Sequence, residues 1–240
     1  MKQKSFLLTL LLLCLSASLL AQAEYKMPRF RVSASGGLGY LIASGQDDIS
    51  GVVNKEVIEK ANNKLRWATN LNGDIHYLFN GGWGLGAKYL FQKTSAEANN
   101  VITDIFDNRH YQVSNFWEKD YVNFVGPSLF GYTNLGNNDN LFFISSLSGG
   151  YAWLRSEGSL LSQNVLITGG NFAMNTEIGI DYLFHPNFGL GVNLGYFLGT
   201  FSKVKITNGI STQEQTLDKN SRYNASNFHV SVGLRYYLNK

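Results

Sequence analysis

Nine charged or titratable residues occupy positions that strand alternation would turn to one side of a sheet. Arg31, Arg66, Lys88 and Arg235 are positive, Asp74, Glu177 and Asp181 are negative, and His76 and His229 accompany them. Opposite charges held away from bulk water attract strongly and restrain one another. Around an opening, such a set would make a gated passage or a proton-sensitive site. Packed against itself, it would plug an interior, and this reading is preferred because a small closed sheet leaves a space that side chains just fill. His229 and Ser231 stand two apart, the spacing that puts a base and a hydroxyl on one strand face. A nucleophilic pair of that kind needs a third group to orient the base, and no acidic residue follows Ser231. His76, His110, His185 and His229 contain no pair at metal-ligand spacing. Gly36-Gly37-x-Gly39 opens no helix, so it makes no phosphate loop. No cofactor is expected, and no long basic run offers a footprint for nucleic acid.

The elements that hold these residues read as strands with one apolar and one polar face. In the first, Phe30, Val32, Ala34, Leu38, Tyr40 and Ile42 oppose Arg31, Ser33, Ser35, Gly37 and Gly39. In the second, Trp67, Leu71, Ile75, Tyr77 and Phe79 oppose Arg66, Asn70, Asn72, Asp74 and His76. The same division runs through 83–92, 141–153, 171–184, 188–196 and 227–238, and a fourth strand lies near 121–132. There Val125, Pro127 and Leu129 are assigned to the apolar wall, with a bulge near Pro127, which cannot donate to a ladder. Eight strands result, each long enough to cross an apolar band when tilted.

Their links alternate between short (80–82, 133–140, 185–187) and long (44–64, 93–119, 155–168, 199–221). Short inner turns and long outer loops are the habit of outer-membrane barrels, with both termini on the periplasmic side. Charged residues are 15% of the chain, against about 25% in average soluble proteins. The mean hydropathy of -0.11 does not argue against a membrane, because alternating strands average to a soluble value. The alternative is a soluble eight-stranded barrel such as a lipocalin, and the faces argue against it, because an interior holding Arg, Asn, Asp, His and Glu deep in its strands would be a poor soluble core. Aromatic residues at the strand ends form two belts: Phe79, Trp83, Phe184, Phe188 and Tyr236 below, Tyr40, Trp67, Tyr89, Trp153 and Tyr196 above. Lys2 and Lys4, the apolar run from Phe6 to Leu15 and Ala21-Gln22-Ala23 predict a signal peptide over 1–23, leaving a barrel domain over 24–240. Its removal takes away Cys14, the only cysteine.

The segments NTEIGIDYLFHPNFGLGVNLGYF and NFHVSVGLRYYL, with the signal peptide, resemble the small eight-stranded outer-membrane proteins of the OmpA/OmpX type in the porin-like barrel family. The resemblance covers the whole mature chain and departs from the family at the end, YYLNK, where many members finish on an aromatic residue. It implies an all-β, closed, up-and-down transmembrane barrel in a bacterial outer membrane. It further implies outer-membrane lipids and the barrel-assembly machinery as partners, and a non-enzymatic structural or surface role, with a surface ligand meeting the outer loops. A small pore is the alternative. Outer-membrane lipid A deacylases also carry a His-x-Ser pair, but theirs faces lipid, whereas alternation turns His229 and Ser231 to the lumen.

Three registers follow. A turn over 80–82 places Asp74 opposite Lys88 as an ion pair. A turn at Pro186 pairs Tyr182 with Leu190, Ile180 with Val192 and Ile178 with Leu194. Asn208-Gly209 predicts a two-residue hairpin pairing Thr207 with Ile210, an odd-even register. The seventh and eighth strands require even-even pairing, so a break is expected over 218–224. The first outer loop is expected to hold a short helical turn, and the second to prolong its strands.

Overall fold

The computed structural model describes residues 28–42, 52–104, 111–135, 140–160, 163–218 and 221–238. The expected signal peptide, His110, Asn239 and Lys240 lie outside them. The strands are β1 (Phe30–Leu41), β2 (Trp67–Phe79), β3 (Trp83–Asp104), β4 (Tyr111–Asn134), β5 (Leu141–Leu160), β6 (Gln163–His185), β7 (Phe188–Phe201), β8 (Lys203–Thr207), β9 (Thr212–Thr216), β10 (Tyr223–Asn224) and β11 (Asn227–Leu238), with one helix, α1 (Lys55–Leu65). Each strand from β1 to β7 pairs with the next, β7 pairs with β11, and β11 returns to β1. Eight antiparallel strands therefore close into a ring. β8 and β9 extend the outer end of β6, and β10 caps β7.

Strand period determines the two faces of this ring. Val32, Leu38 and Tyr40 of β1, Leu71 and Ile75 of β2, and Leu190, Val192 and Leu194 of β7 are exposed on the outside. Arg31, Asn72, Asp74, Asn193 and Arg235 are buried inside. An exterior of Val, Leu, Ile and aromatic rings suits lipid and not water. β4 follows the assignment to Val125 and Leu129 outward, with Phe124 and Phe130 buried.

No bulge forms at Pro127. It pairs with Ala87 of β3, and the β4–β5 ladder lapses there and resumes in the same register, Val125 with Tyr151 and Ser128 with Ser148. Gly126 explains this: a Cβ there would lie 2.8 Å from the Gly150 Cα, so two glycines let the strands stay in step without a displaced residue.

Asp74 stands opposite Lys88, and Tyr182, Ile180 and Ile178 meet Leu190, Val192 and Leu194, as expected. The second outer connection is mostly strand, β3 reaching Asp104 and β4 starting at Tyr111. On the outer face the wall turns from apolar to charged at Lys93, Lys119, Arg155 and Glu157, which neighbour one another across β3, β4 and β5. Tyr89, Tyr151 and Trp153 lie just inside that edge, and the Lys93 and Lys119 ammonium groups sit over the Tyr121 and Trp117 rings at 5.8 and 5.5 Å. The residues of β4 before Tyr121 thus stand beyond the apolar band.

The first connection forms a full helix and not a single turn. Ile58, Ala61 and Leu65 fall on one side of α1 and bury against Ala96, Ala98, Val101 and Phe116 of the strand extensions. The Asn54 side chain binds the strand edge there, donating to the Asn100 carbonyl at 2.8 Å and accepting from the Ile102 amide at 2.9 Å.

The last connection departs from the two-residue hairpin. Thr207 pairs with Thr212, leaving Asn208 to Ser211 as the tip. Asn208 Oδ1 accepts from the amides of Ile210 and Ser211, at 3.3 and 3.0 Å, and Gly209 takes a φ of 84°. This side-chain turn closes a longer tip than a backbone turn would. The hairpin register is odd-even and the wall register even-even, Tyr196 with Phe228. The inward side changes from odd to even on the outgoing strand at Ser202, between the buried Phe201 of β7 and Val204 of β8, where pairing to β6 shifts by one residue (Ala173 with Gly199, Gly169 with Val204), and not in the polar run 218–224 where the break was expected.

Candidate functional site

Alternation carries charged residues from five strands to the lower half of the lumen. Arg31 of β1 is its centre. The guanidinium donates to Asp181 Oδ2 through Nε (3.1 Å) and Nη2 (3.0 Å), and to Asp74 Oδ1 through Nη1 (2.5 Å). Its other face lies 4.6 Å from the Phe130 ring centroid. Asp181 also accepts from Arg235 Nε (2.9 Å) and the Tyr237 hydroxyl (2.7 Å). Ser33 Oγ donates to Asp74, and His76 lies between Asp74 (3.1 Å from Nδ1) and Ser128 Oγ (2.9 Å from Nε2).

A second cluster sits alongside. Lys88 Nζ lies 2.6 Å from Glu177 Oε2, and His229 Nε2 lies 3.2 Å from Glu177 Oε1. The Asn193 amide donates to Glu177 while its carbonyl accepts from Arg235 Nη2 (3.2 Å), joining the two clusters. Arg31, Lys88 and Arg235 balance Asp74, Glu177 and Asp181 charge for charge, the condition for burying them. β7 supplies the room: a Cβ on Gly191 would lie 2.6 Å from Arg235 Nε.

Apolar layers bound the network. Below it Leu78, Phe130, Tyr132, Phe142, Ile144 and Tyr237 pack together. Above it Leu90, Phe124, Leu154, Phe197 and Phe201 form a second buried layer.

Eight of the nine expected residues meet in this network; Arg66 does not. It ends α1 ahead of β2, and its guanidinium donates to the Tyr40 hydroxyl on the outer face at 3.3 Å. The last turn of the helix sets its direction, in place of strand alternation. The expected Asp74–Lys88 bond is also redirected: the register is right, but the ammonium goes to Glu177 and Asp74 to Arg31. His229 and Ser231 are buried in the lumen. Glu177 gives His229 the acidic neighbour that the sequence after Ser231 lacks, and Ser231 Oγ has no hydrogen-bond partner among the described residues. Tyr237 and Asn193 were legible as lumen-facing through alternation, but not as partners of the charges.

A separate acidic pair lies above the band, missed because the fourth strand is read only from near 121. Glu118 and Asp120 alternate inward on β4, with Thr94 Oγ1 donating to Asp120 Oδ2 at 3.0 Å. Ser156 and Tyr223 face the same carboxylate. Burial, and then the charge of Asp120, push the Glu118 carboxyl up to about 8. Burial raises Asp120 as well. A carboxyl raised by folding stabilises most while both states hold the proton, below its ordinary 4.5, and that stabilisation is lost as pH rises to about 8. Urea unfolding in chelator-containing buffer should therefore show stability falling across this window. Glu118→Gln should flatten the fall; an unchanged slope in that variant would assign it to other groups.

These features define a membrane-spanning β-barrel with buried charged side chains in its lumen. The model of the outer membrane protein beta-barrel domain matches residues 7–239, and the chain belongs to that family. It is a protein of the bacterial outer membrane, of the small OmpA/OmpX-like type. Comparison with curated proteins finds no sequence match. Among solved structures, the outer membrane protein OprG from Pseudomonas aeruginosa superposes with a TM-score of 0.53 at 12% identity, covering 90% of this chain and 98% of that one. The outer membrane protease OmpT from Escherichia coli gives 0.48 at 9% identity over 90% and 99%. Neisserial surface protein A gives 0.45 at 14% identity over 87% and 97%.

Proposed function

We propose that the protein is a non-conducting, non-enzymatic barrel that serves a structural or surface-contact role in the outer membrane. The observation that carries this reading is the lumen: a charge-balanced network buried between two apolar layers, with Arg31, Lys88 and Arg235 each at 2% exposure or less. Ions crossing it would have to separate buried ion pairs and then wet a layer of Phe and Leu, both costly. The inward, unbonded Ser231 supports the absence of esterase chemistry.

The outer wall meets membrane lipid, and insertion relies on the assembly machinery after removal of residues 1–23. The short links at 80–82 and 186–187 lie at the same end as Phe30 and Leu238, which supports periplasmic termini. The strands projecting beyond Lys93, Lys119 and Arg155 are the surface on which an external ligand would dock. Purified protein in planar bilayers should give no steady conductance. Reproducible single-channel steps would establish the small-pore alternative instead.

A further inference from the structure

The lower lumen balances every carboxylate with a cation, but the acidic pair above the band has none. Lumenward of Glu118 and Asp120, the neighbours are Gln92, Thr94 and Ala96 on β3, Phe116 and Val122 on β4, and Leu154, Ser156 and Gly158 on β5. None is charged. Lys93, Lys119, Arg155 and Glu157 alternate to the outer face, and Arg222 beside Tyr223 is exposed. Among the described residues, no Lys, Arg or His is paired with either carboxylate. Asp120 is 6% exposed, and its Oδ1 has no hydrogen-bond partner although Oδ2 is bonded to Thr94. An unsatisfied, buried carboxylate oxygen beside a second, half-buried carboxyl is costly unless something positive joins it.

The groups at the Asp120 carboxylate are all oxygen donors: Glu118 two residues before it on the same strand face, Ser156 opposite it on β5, Thr94 bonded to Oδ2, and the Tyr223 hydroxyl. Among the described residues, none of these neighbours offers a nitrogen or sulfur ligand. Two carboxylates with neutral oxygens, completed by water, form the ligand set of Ca²⁺ or Mg²⁺. The placement also gives such an ion a task. Thr94, the carboxylates and Ser156 come from the adjacent strands β3, β4 and β5, whereas Tyr223 comes from β10, which is bound to β7 elsewhere on the ring.

We propose that Glu118 and Asp120, with Thr94, Ser156 and Tyr223, bind one hard divalent cation at the outer mouth of the barrel. The ion ties the return segment of the last outer connection to the opposite wall. The site stands whether or not the lumen conducts, and its test is separate from the conductance experiment.

The test uses the folded full-length barrel in zwitterionic detergent micelles, with Tb³⁺ as a luminescent probe followed by competition with Ca²⁺ and Mg²⁺. Tyr223 should sensitise the bound Tb³⁺, with saturation at one ion per chain and displacement by a physiological divalent cation. Asp120→Asn and Glu118→Gln, which keep side-chain volume, should each weaken binding by about tenfold or more. Tyr223→Phe should reduce the sensitised emission. Heat-modifiable migration on gels shows whether each variant is folded; should Asp120→Asn fail, the half-buried Glu118→Gln and the wild-type stoichiometry decide alone. Absence of saturable binding to the folded wild type, or unchanged affinity in the folded carboxamide variants, would overturn the site.

Discussion

Asp181→Ala is expected to destabilise the barrel by about 3–5 kcal/mol, the cost of breaking a buried ion pair from one side. Asp181 is fully buried and accepts from Arg31, Arg235 and Tyr237 at once. Its removal strands two guanidinium groups between apolar layers, with Asp74 the only remaining carboxylate on Arg31. Arg235 loses its one carboxylate and keeps Asn193. Equilibrium urea unfolding in lipid vesicles measures the loss. A loss below about 1 kcal/mol, the scale of an exposed pair, would mean that water reaches this part of the lumen. The same variant should be tested in planar bilayers: if the network seals the lumen, its disruption is the substitution most able to admit ions.

Ile180→Arg tests the opposite face and should cost about 2–4 kcal/mol. Ile180 is 47% exposed and lies between Val192 of β7 and Phe143 of β5, well inside the lipid-facing stretch that ends at Phe184. In water an exposed arginine there would be harmless. In a bilayer it must drag its charge through hydrocarbon to an interface. Thr212→Arg, on the fully exposed β9, is the matched control and should be silent. Equal stability of wild type and Ile180→Arg in lipid vesicles would contradict the assignment of this face to lipid.

Much of the wall was legible in advance because a strand has a period of two. Once Ile178, Ile180 and Tyr182 are apolar and Glu177 and Asp181 are not, one choice of side is available, and a slip of one residue would turn all of them over. The same parity placed His229 and Ser231 in the lumen and required a register break, which lies at Ser202 on the outgoing strand and not in the polar run where it was expected. It failed where another local force took over. Arg66 follows the end of a helix, the Asn208 side chain lengthens a turn beyond the Asn-Gly rule, and glycines around Pro127 remove the need for a bulge. Starting the fourth strand near 121 left out Glu118 and Asp120, although their inward alternation simply continues that of Val122 and Phe124.

Local pattern and turn chemistry settle the eight-strand wall, the lipid-facing side and which residues enter the lumen, because these depend only on neighbours along a strand and across a hairpin. Partners inside the lumen are another matter. Arg31 meets Asp181 150 positions away, and Lys88 passes over the facing Asp74 to reach Glu177. Those distances are set by closure: ring diameter and stagger decide which side chains converge from non-adjacent strands, and neither quantity is written in any single strand. The acidic pair acquires Tyr223 for the same reason, when the last connection folds back onto β7 and carries its hydroxyl toward the mouth.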